Sequence, residues 1–413
     1  MKMKLVADEN IPLVRELFSA FGELVLRPGR AITAHDLADA DALLVRSVTT
    51  VNANLLKGSA VRFVGSATIG TDHVDHVALA DAGIAFANAP GCNANAVAEY
   101  VIASLLVLAE RNRFRPGRDV IGILGYGNVG RRLAAKLTAL AWPFRVCDPP
   151  LAEAQNRAQQ WCTAAELRDC DVLTLHVPLN KQGAHPTWHW LDEAAFASMR
   201  ARVVINSCRG PVVDNHALLD WLRAEPTRAA VLDVWEHEPD LPDDLLQRVD
   251  LATPHIAGYS REGKCNGSFM IHAAFRQHFG LDAANAERWQ LPVAGQGAVP
   301  DFAVPDRAAQ HLAALDLTTQ DLTTQALPQA LLAPREQVRQ ELAQQWLLQQ
   351  LLNCYDPRRD DAALRAALAA AADRRAAFDL LRKNYPERRE LVSWRFTASE
   401  SIATRYQSLA AFI

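Results

Sequence analysis

Residues 120–130 read Val-Ile-Gly-Ile-Leu-Gly-Tyr-Gly-Asn-Val-Gly, and this stretch decides the fold. Its apolar first half predicts a buried strand, its second half is a GxGxxG loop, and the helical run Arg131–Leu140 follows directly. The loop pattern alone is weak evidence, but a strand before it and a helix after it are the context that dinucleotide binding requires. Gly125 permits the tight turn, Gly127 lets the backbone approach a pyrophosphate, and Gly130 lets the helix pack closely on the strand.

The residues after this loop indicate which dinucleotide binds. The helix that starts near Asn128 and Val129 presents backbone N–H groups to an anion. The next strand ends at Asp148, about 20 residues after the glycines, where a carboxylate accepts hydrogen bonds from a ribose diol and repels a 2′-phosphate. NAD is therefore favoured over NADP. The competing interpretation is a chance glycine turn followed by a surface aspartate.

Short apolar runs alternate with helical stretches on both sides of the loop, which predicts parallel sheets covered by helices on both faces. The strands predicted for a first unit are Lys4–Ala7, Ala42–Ser47, Arg62–Ala67 and Ile84–Asn88, with helical stretches at Ile11–Phe21, Ala34–Ala40 and Asn52–Gly58. A long helix at Asn93–Arg113 leads to a second unit with strands at Val120–Leu124, Phe144–Cys147, Val172–His176, Val203–Ser207, Ala230–Trp235 and Leu251–Thr253. A helix at about Ser260–Phe279 is expected to return to the first unit, which would make that unit discontinuous.

The composition changes after about Asp282. Residues Gln290–Pro305 contain three prolines and two glycines, which is typical of a linker. Beyond it the chain is rich in Ala, Leu, Gln and Arg, with helical periods at Arg335–Leu352 and Asp361–Leu381. A third, helical domain is therefore expected after the linker.

The length, charge, hydrophobicity and cysteine content of the chain argue against several classes of function. The chain has 413 residues and a net charge of −4, with no long basic block to neutralise a row of phosphates, so nucleic acid is not an expected partner. No apolar run approaches the roughly 18 residues that a membrane span needs. The N-terminus lacks the apolar segment of a secretory signal, which predicts a cytoplasmic protein. Seven cysteines form no CxxC pair, which favours reduced thiols and no structural metal.

Three later strands are followed by polar residues suited to the oxidation of a hydroxy acid: Arg209, Glu238 and His255. The carboxyl ends of parallel strands lie on one edge of the sheet, where ligands bind, so these residues are expected to converge. His255 would take the proton of the alcohol, because an imidazole titrates near neutral pH. Glu238 would orient the imidazole and favour its charged form. Arg209 would grip the substrate carboxylate through two parallel hydrogen bonds.

Each of these residues also has an ordinary structural interpretation. An Arg after a strand is more often a surface ion-pair partner, a Glu before Pro is usually a solvated turn residue, and a His after Pro often bonds a backbone carbonyl. Glu236 and His237 are nearby competitors, and the choice of Glu238 rests partly on a family resemblance.

Four motifs carry that resemblance: GYGNVG at 125–130, INSCRG at 205–210, LDVWEHEP at 232–239 and TPHIAGYS at 253–260. In this order they resemble the D-isomer-specific 2-hydroxy-acid dehydrogenases. The resemblance implies that Arg209 and Glu238 are catalytic and that His255 is the proton donor and acceptor. It implies NAD contacts at Gly125, Gly127, Asn128, Val129, Gly130, Asp148, Val177, Ser207, Cys208, Arg209, Asp233 and Gly258, and substrate contacts at Ser47, Thr68 and Tyr259. Val177 stands where the family pattern has a threonine, so a backbone contact could survive there but a hydroxyl contact could not.

Further stretches narrow the resemblance to a branch of the family whose substrate is a small phosphorylated hydroxy acid. These stretches are Ala7–Pro12, Leu44–Thr49, Phe63–Asp75, Ala89–Ala94, Arg358–Asp361 and Leu381–Glu390. Two alternatives stay open. One is another member of the family, for example an enzyme acting on 3-phosphoglycerate, and the other is a non-catalytic NAD-sensing protein that has kept the fold.

The resemblance also implies the fold class, an α/β protein with two doubly wound parallel-sheet domains and a smaller C-terminal dimerisation domain. The expected domains are a discontinuous flavodoxin-like substrate-binding domain at 1–95 and 258–285, a Rossmann NAD-binding domain at 96–257, and the dimerisation domain at 286–413. A homodimer is expected. Backbone N–H groups of the Ala67–Thr71 turn are candidate phosphate donors. The basic residues Arg382, Lys383, Arg388 and Arg389 either help to hold the phosphate or form a solvated helix face.

Overall fold

The computed structural model describes residues 2–154, 160–281 and 351–391, together with the backbone of 302–303 and 396–397. Contacts divide the chain into two compact units. The first comprises Met1–Ala96 and Gly258–Gly295, and the second comprises Val97–Ala257 and Gln296–Ile413. The first unit is therefore built from two separate stretches of sequence.

The secondary structure of the described residues follows the alternation of strand and helix. The strands are β1 (Met3–Asp8), β2 (Gly22–Arg27), β3 (Ala42–Val45), β4 (Phe63–Ser66), β5 (Ala85–Ala87), β6 (Ile121–Leu124), β7 (Phe144–Cys147), β8 (Val172–Leu175), β9 (Val203–Asn206), β10 (Ala229–Leu232), β11 (Leu251–Ala252), β12 (Phe302–Ala303) and β13 (Phe396–Thr397). The helices are α1 (Val14–Phe18), α2 (Ala34–Leu37), α3 (Ala53–Leu56), α4 (His76–Asp81), α5 (Ala94–Glu110), α6 (Asn128–Ala139), α7 (Pro149–Ala154), α8 (Ala164–Arg168), α9 (Glu193–Ser198), α10 (Asn215–Ala224), α11 (Asp243–Arg248), α12 (Arg261–His278), α13 (Pro357–Ala370) and α14 (Arg374–Lys383). Single turns of 3₁₀ helix occur at Ser19–Phe21, Gly29–Ala31 and Gly210–Val212.

The first unit is built on a five-stranded parallel sheet in the order β2-β1-β3-β4-β5. Strands β3 and β4 are buried along their whole length, because apolar side chains cover both faces. Ile271 and Phe275 of α12 pack on one face, and Leu37 and Leu79 pack on the other. The strand order 2-1-3-4-5 is that of flavodoxin-like folds, and the expected α/β class with two parallel-sheet units is confirmed.

The sequence prediction missed strand β2. It pairs in parallel with β1, from Met3 opposite Gly22 to Asp8 opposite Arg27. Because β2 lies at the edge of the sheet and is only partly buried, its sequence includes charged residues in place of the apolar run that marks the inner strands.

The second unit is built on a six-stranded parallel sheet in the order β11-β10-β9-β8-β6-β7. A single parallel bridge between Val146 of β7 and Trp161 extends this sheet by one position. With that bridge counted as the third strand, the order is 3-2-1-4-5-6-7, which is the 3-2-1-4-5-6 order of a Rossmann fold with β11 as a seventh strand at the edge. The order reverses between β6 and β8, and ligands of such sheets bind outside the carboxyl ends of the strands at that point.

The described C-terminal segment, residues 351–391, packs on the second unit. Leu364 and Leu368 of α13 and Phe378 of α14 are buried in the same apolar cluster as Trp235 and Leu241. The sequence interpretation assigned residues 286–413 to a separate domain. By contact, the described part of that range belongs to the second unit, and the three-domain division stays a prediction.

Two other predictions about the C-terminal half need comment. The helical period Asp361–Leu381 is two helices and not one, because α13 ends at Ala370 and Asp373 caps α14 by accepting the N–H of Ala376. The predicted linker Gln290–Pro305 and the helical period Arg335–Leu352 lie almost wholly outside the described residues. Among the described residues, none of the helices combines the length and the apolar character that crossing a lipid bilayer requires.

Candidate active site

The glycine loop joins β6 to α6 at the carboxyl edge of the second sheet. Gly125 has a φ of +91°, a left-handed conformation that L side chains rarely adopt. A Cβ on Gly130 would lie 2.0 Å from the carbonyl oxygen of Gly125, so only glycine lets α6 approach this closely. A Cβ on Gly127 would meet no atom within 4 Å, so the space beside it is open. This combination of close packing and open space fits a bound dinucleotide.

Two further features of the loop suit the same ligand. The N-terminus of α6, at Asn128 and Val129, has no side-chain cap, so its dipole and backbone N–H groups suit a pyrophosphate. Asp148, directly after β7, accepts the N–H of Tyr126 at 2.7 Å and that of Leu151 at 3.1 Å. The carboxylate is thereby fixed beside the loop, and its other lone pairs suit the hydroxyls of a ribose.

His176 and Val177 follow β8. Nε2 of His176 lies 2.9 Å from Oγ1 of Thr174, and burial lowers the pKa of His176 to about 3. This imidazole therefore stays neutral at physiological pH and is unsuited to take up a proton. Val177 packs against the apolar cluster of the second unit. Its side chain also borders the glycine loop, since a Cβ on Gly125 would come within 2.9 Å of it.

Arg209 lies in the turn after β9, and the residues around it fix that turn. Nδ2 of the buried Asn206 donates to the carbonyl oxygen of Arg209 at 2.9 Å, and its Oδ1 accepts the N–H of Cys208 at 3.2 Å. Nη1 of Arg209 donates to the carbonyl oxygen of Cys208 at 2.7 Å. A Cβ on Gly210 would lie 1.9 Å from the carbonyl oxygen of Trp235, so the turn presses directly on the loop after β10.

That loop carries Glu238, which forms a pair with His255. Nδ1 of His255 lies 2.8 Å from Oε2 of Glu238, and Oε1 of Glu238 accepts the N–H of Trp235 at 2.8 Å. Burial raises the pKa of Glu238, but the charge and hydrogen bond of His255 and the bond from Trp235 outweigh it, so this pKa is lowered overall. Glu238 therefore stays ionised at neutral pH. Because Nδ1 faces the carboxylate, Nε2 is the ring nitrogen available for proton transfer.

A buried carboxylate, Asp233, holds the turn that carries His255. Its Oδ1 accepts hydrogen bonds from the hydroxyl of Thr253 and the N–H of Ile256, both at 2.7 Å, and its Oδ2 accepts one from the N–H of Ala257 at 3.0 Å. Burial raises the pKa of Asp233 above its usual value, although the charge of His255 and these three donors partly oppose that shift. His255 has a φ of +57°, and the bonds to Asp233 offset the strain of that conformation. Because the carboxylate is 1% exposed, its role here is structural, and its expected contact with NAD stays a prediction.

The competitors of Glu238 have other partners or positions. Oε1 of Glu236 lies 2.6 Å from Nε2 of His189, and its Oε2 accepts the N–H of Asn215 at 3.2 Å. His237 is exposed. The geometry therefore favours Glu238 as the carboxylate that serves His255. Within the part of the chain that the structure describes, no group of three or more His, Cys, Asp and Glu side chains is placed to hold a metal ion.

In the first unit, Thr68 belongs to a small polar network after β4. Its Oγ1 lies 2.8 Å from Oγ of Ser66 and donates to the carbonyl oxygen of Gly70 at 3.1 Å. Oγ of Ser66 also lies 3.0 Å from Nε2 of His73. Ser66 and His73 were absent from the sequence prediction, although both lie in a stretch that supports the resemblance. The hydroxyl of Thr68 is therefore held in a defined place.

The other expected ligand contacts of the first unit have simpler surroundings. Ser47 is exposed in the turn after β3, and Tyr259 is half-buried with Nζ of Lys264 4.6 Å from its ring centre. A Cβ on Gly258 would lie 2.0 Å from Nδ2 of Asn93, so only glycine fits there.

The four basic residues near the C-terminus do not share one environment. Lys383 is exposed, whereas the charge of Arg382 contributes to the lowered pKa of Glu238. Arg388 is 6% exposed, and its Nη1 donates to the carbonyl oxygen of Ala257 at 3.1 Å. The expectation that Arg388 lies on a solvated face is therefore wrong, because this guanidinium is buried inside the second unit, whereas a role of the cluster in holding the phosphate stays a prediction.

The fold and the arrangement of the site together define the class of enzyme to which this chain belongs. A Rossmann sheet, a glycine loop with Asp148 and a His–Glu pair at the same sheet edge are the parts of a dinucleotide-dependent dehydrogenase. The profile of the family described as "D-isomer specific 2-hydroxyacid dehydrogenase, NAD binding domain" matches residues 109–257, and a domain of unknown function, DUF3410, matches residues 327–409. A solved structure, NAD⁺-bound 3-phosphoglycerate dehydrogenase from Entamoeba histolytica, shares the fold over 68% of this chain and 96% of its own, with 24% identity and a TM-score of 0.57.

Curated relatives match at higher identity. Erythronate-4-phosphate dehydrogenase of Klebsiella pneumoniae is 44% identical over 97% of this chain and 96% of its own length. The protein of that name from Serratia proteamaculans is 42% identical over the full length of both chains. This chain therefore belongs to the erythronate-4-phosphate dehydrogenase family, within the D-isomer-specific 2-hydroxyacid dehydrogenases. The expected family, enzyme class and NAD cofactor are confirmed.

Two glycines of the loop permit a matched test of its packing. Gly130→Ala is expected to destabilise the second unit by about 1–3 kcal/mol, because the added methyl group overpacks the junction of loop and helix. Gly127→Ala adds the same group where nothing lies within 4 Å, so it should keep the stability and weaken NADH binding. Urea unfolding and NADH fluorescence measure the two effects. Equal losses of stability in both variants would contradict this account.

The two neighbouring glutamates permit a test of the pair. Glu238→Gln is expected to lower kcat by about 100-fold or more, because an amide cannot compensate the imidazolium that forms on proton transfer. Glu236→Gln is the control, since its side chain serves His189 and Asn215. The rate is followed by NADH absorbance. A comparable loss in both variants would assign the effect to the loop and not to the pair.

The lowered pKa of Glu238 predicts a pH-dependent stability. A carboxyl whose pKa is depressed in the folded state contributes stability above its unfolded pKa of about 4.3, and this is lost as the pH falls through the folded value. The difference in free energy of unfolding between the wild type and Glu238→Gln should therefore be largest above pH ~5 and shrink toward pH ~3. Urea unfolding across this range checks the expectation, and a constant difference would refute it.

Proposed function

We propose that this chain oxidises 4-phospho-D-erythronate to 2-oxo-3-hydroxy-4-phosphobutanoate with NAD, a step of pyridoxal 5′-phosphate biosynthesis. The observation that carries the proposal is the 2.8 Å contact between Nδ1 of His255 and Oε2 of Glu238, on the sheet edge that also bears the glycine loop. The substrate comes from the curated relatives, both of which are called erythronate-4-phosphate dehydrogenase.

In this reaction, Nε2 of His255 takes the proton of the hydroxyl group at C2. Glu238, ionised before the proton arrives, stabilises the imidazolium and keeps the ring in one orientation. Arg209 binds the substrate carboxylate and polarises the neighbouring oxygen. NAD, when bound, supplies the acceptor for the hydride that leaves the same carbon. The proton on His255 returns to solvent before the next turnover.

The cofactor would be held by the glycine loop, the N-terminus of α6 and Asp148. The loop and helix bind the pyrophosphate, and Asp148 accepts the ribose hydroxyls. The remaining proposed NAD contacts are Val177, Ser207, Cys208, Asp233 and Gly258.

The substrate would be bound by residues of the first unit. Ser47, Thr68 and Tyr259 are the proposed contacts, and the Ala67–Thr71 turn offers backbone N–H groups to the phosphate. The hydroxyl of Thr68 is already positioned by Ser66 and Gly70. A phosphate group carries nearly two negative charges at neutral pH, so several donors are needed to replace its water.

We propose that the protein forms a homodimer and that it acts in the cytoplasm. A two-fold dimer is the commonest closed arrangement of identical chains, and the Ala- and Leu-rich C-terminal range is the part proposed to associate. Light scattering separates a dimer from a monomer, and a monomer at micromolar concentration would contradict this part of the proposal.

A substrate panel tests the function. Purified protein should reduce NAD with 4-phosphoerythronate, with a kcat/KM at least about tenfold above that for 3-phosphoglycerate, and it should use NADP poorly because of Asp148. NADH absorbance measures all three. Faster oxidation of 3-phosphoglycerate would contradict the proposed substrate. If the protein binds NADH but oxidises neither compound, it is a dinucleotide-binding protein without this activity.

A further inference from the structure

The C-terminal segment contacts the second unit at three places that flank the His255–Glu238 pair. The first contact is at the edge strand β11, three residues before His255. Oδ1 of Asp361 accepts the N–H of Ala252 at 2.8 Å, which supplies an acceptor at an edge where, among the described residues, β11 is the last strand of the sheet. Asp361 is itself held by Nε of Arg365 at 2.8 Å, and Arg365 also donates to the carbonyl oxygen of Val249 at 3.0 Å.

The second contact is at the other end of the turn that carries His255, residues 253–257, which is called the catalytic turn below. Asp233 binds the N–H groups of this turn, whereas Nη1 of Arg388 binds the carbonyl oxygen of Ala257 at 3.1 Å. The guanidinium of Arg388 lies 3.6 Å from the ring centre of Tyr355, and its Nη2 is 4.0 Å from Oε2 of Glu99. Arg388 is therefore a buried cation that is fixed on several sides.

The third contact is on the loop that follows Glu238 and on the start of α11, to which that loop leads. Nη2 of Arg375 lies 2.7 Å from Oδ2 of Asp240, and Nη2 of Arg374 lies 2.5 Å from Oδ1 of Asp243. Phe378, one turn further along α14, is fully buried in the cluster that contains Leu241. Helix α14 thus contacts this region through ion pairs on the exposed side of the helix and through apolar packing on the buried side of the helix.

We propose that the C-terminal segment is a brace that positions the His255–Glu238 pair within the same chain, with Arg388 as its main positioning residue. It binds the backbone on both sides of His255 and the loop directly after Glu238. A displacement of about 1 Å at a reacting group lowers a rate by as much as 100-fold, so a brace of this kind controls turnover without contacting the substrate. The effect on turnover rests on the proposed function, whereas the effect on the turn does not.

The variant that tests the brace has to keep the buried charge. Burial raises the pKa of Glu99 to about 7, against the charges of Lys136 and Arg388, so removing the cation would leave Glu99 less compensated. Arg388→Lys keeps a positive charge near Glu99, but an ammonium lacks the planar fork that stacks on Tyr355 while it donates to Ala257.

Arg388→Lys is expected to lower kcat by about 10- to 100-fold with the NADH dissociation constant within about twofold of the wild type. The primary deuterium isotope effect on kcat, with deuterium at C2 of the substrate, should rise because hydride transfer becomes slower relative to product release. Arg359→Gln is the control, since Arg359 is exposed on α13. An unchanged kcat and isotope effect in Arg388→Lys would overturn the proposal.

Hydrogen exchange provides a readout that needs no substrate. The amides of residues 255–257 should exchange faster in Arg388→Lys than in the wild type, while those of β6 stay unchanged. If the wild type fails to oxidise 4-phosphoerythronate, the proposed function falls, but exchange still decides on the brace. Unchanged exchange in the catalytic turn would refute it.

A second position covers the case in which Arg388→Lys does not fold. Asp361→Asn keeps an oxygen that accepts the N–H of Ala252, whereas Asp361→Ala removes it. The brace predicts faster exchange at residues 252–257 and lower kcat in Asp361→Ala, with rescue in Asp361→Asn. Equal behaviour of the two variants would contradict the brace.

Discussion

The turn from Thr253 to Ala257 keeps its shape because one buried carboxylate, that of Asp233, collects three donors from it. Without these bonds, the left-handed backbone of His255 would relax and the imidazole would turn away from Glu238. Asp233 is placed by β10, and β10 is placed by its pairing with β9 and β11. The proposed proton chemistry therefore depends on the register of a parallel sheet, through a residue that is almost completely inaccessible to solvent.

Close approach of backbone segments is the second condition of the site. Gly210 lets the turn that carries Arg209 meet the carbonyl oxygen of Trp235, and the N–H of Trp235 in turn holds Glu238. Gly130 does the same for the glycine loop and α6. The two Glu–His contacts in this region differ in what surrounds them. Glu236 ties His189 to the start of α10, whereas Glu238 belongs to the sheet edge where a dinucleotide binds.

The sequence predicted the parts of the molecule that follow local rules. Buried strands are apolar runs, and the glycine loop between a strand and a helix has one dominant explanation, so both sheets and the choice of NAD could be predicted. Strand β2 could not, because an edge strand need not be apolar. Trp161 forms a single bridge, which leaves no pattern of its own. The environment of Arg388 was misjudged and the role of Asp361 was missed. Both side chains bond to backbone atoms, of Ala257 and Ala252 respectively, that are more than a hundred residues away in the sequence. Convergence of Arg209, Glu238 and His255 was inferred from sheet geometry, and the pairing of the last two is the part that the structure displays.

The bond between Asp361 and Ala252 also bears on how the protein is made. The N–H of Ala252 gains its acceptor only when a residue 109 positions later has been synthesised. The edge strand β11, next to the histidine proposed as the base, is therefore completed by a part of the chain that is made after the sheet itself. A truncation before Asp361 would keep the glycine loop and His255 in the chain but would remove this acceptor from the edge of the sheet.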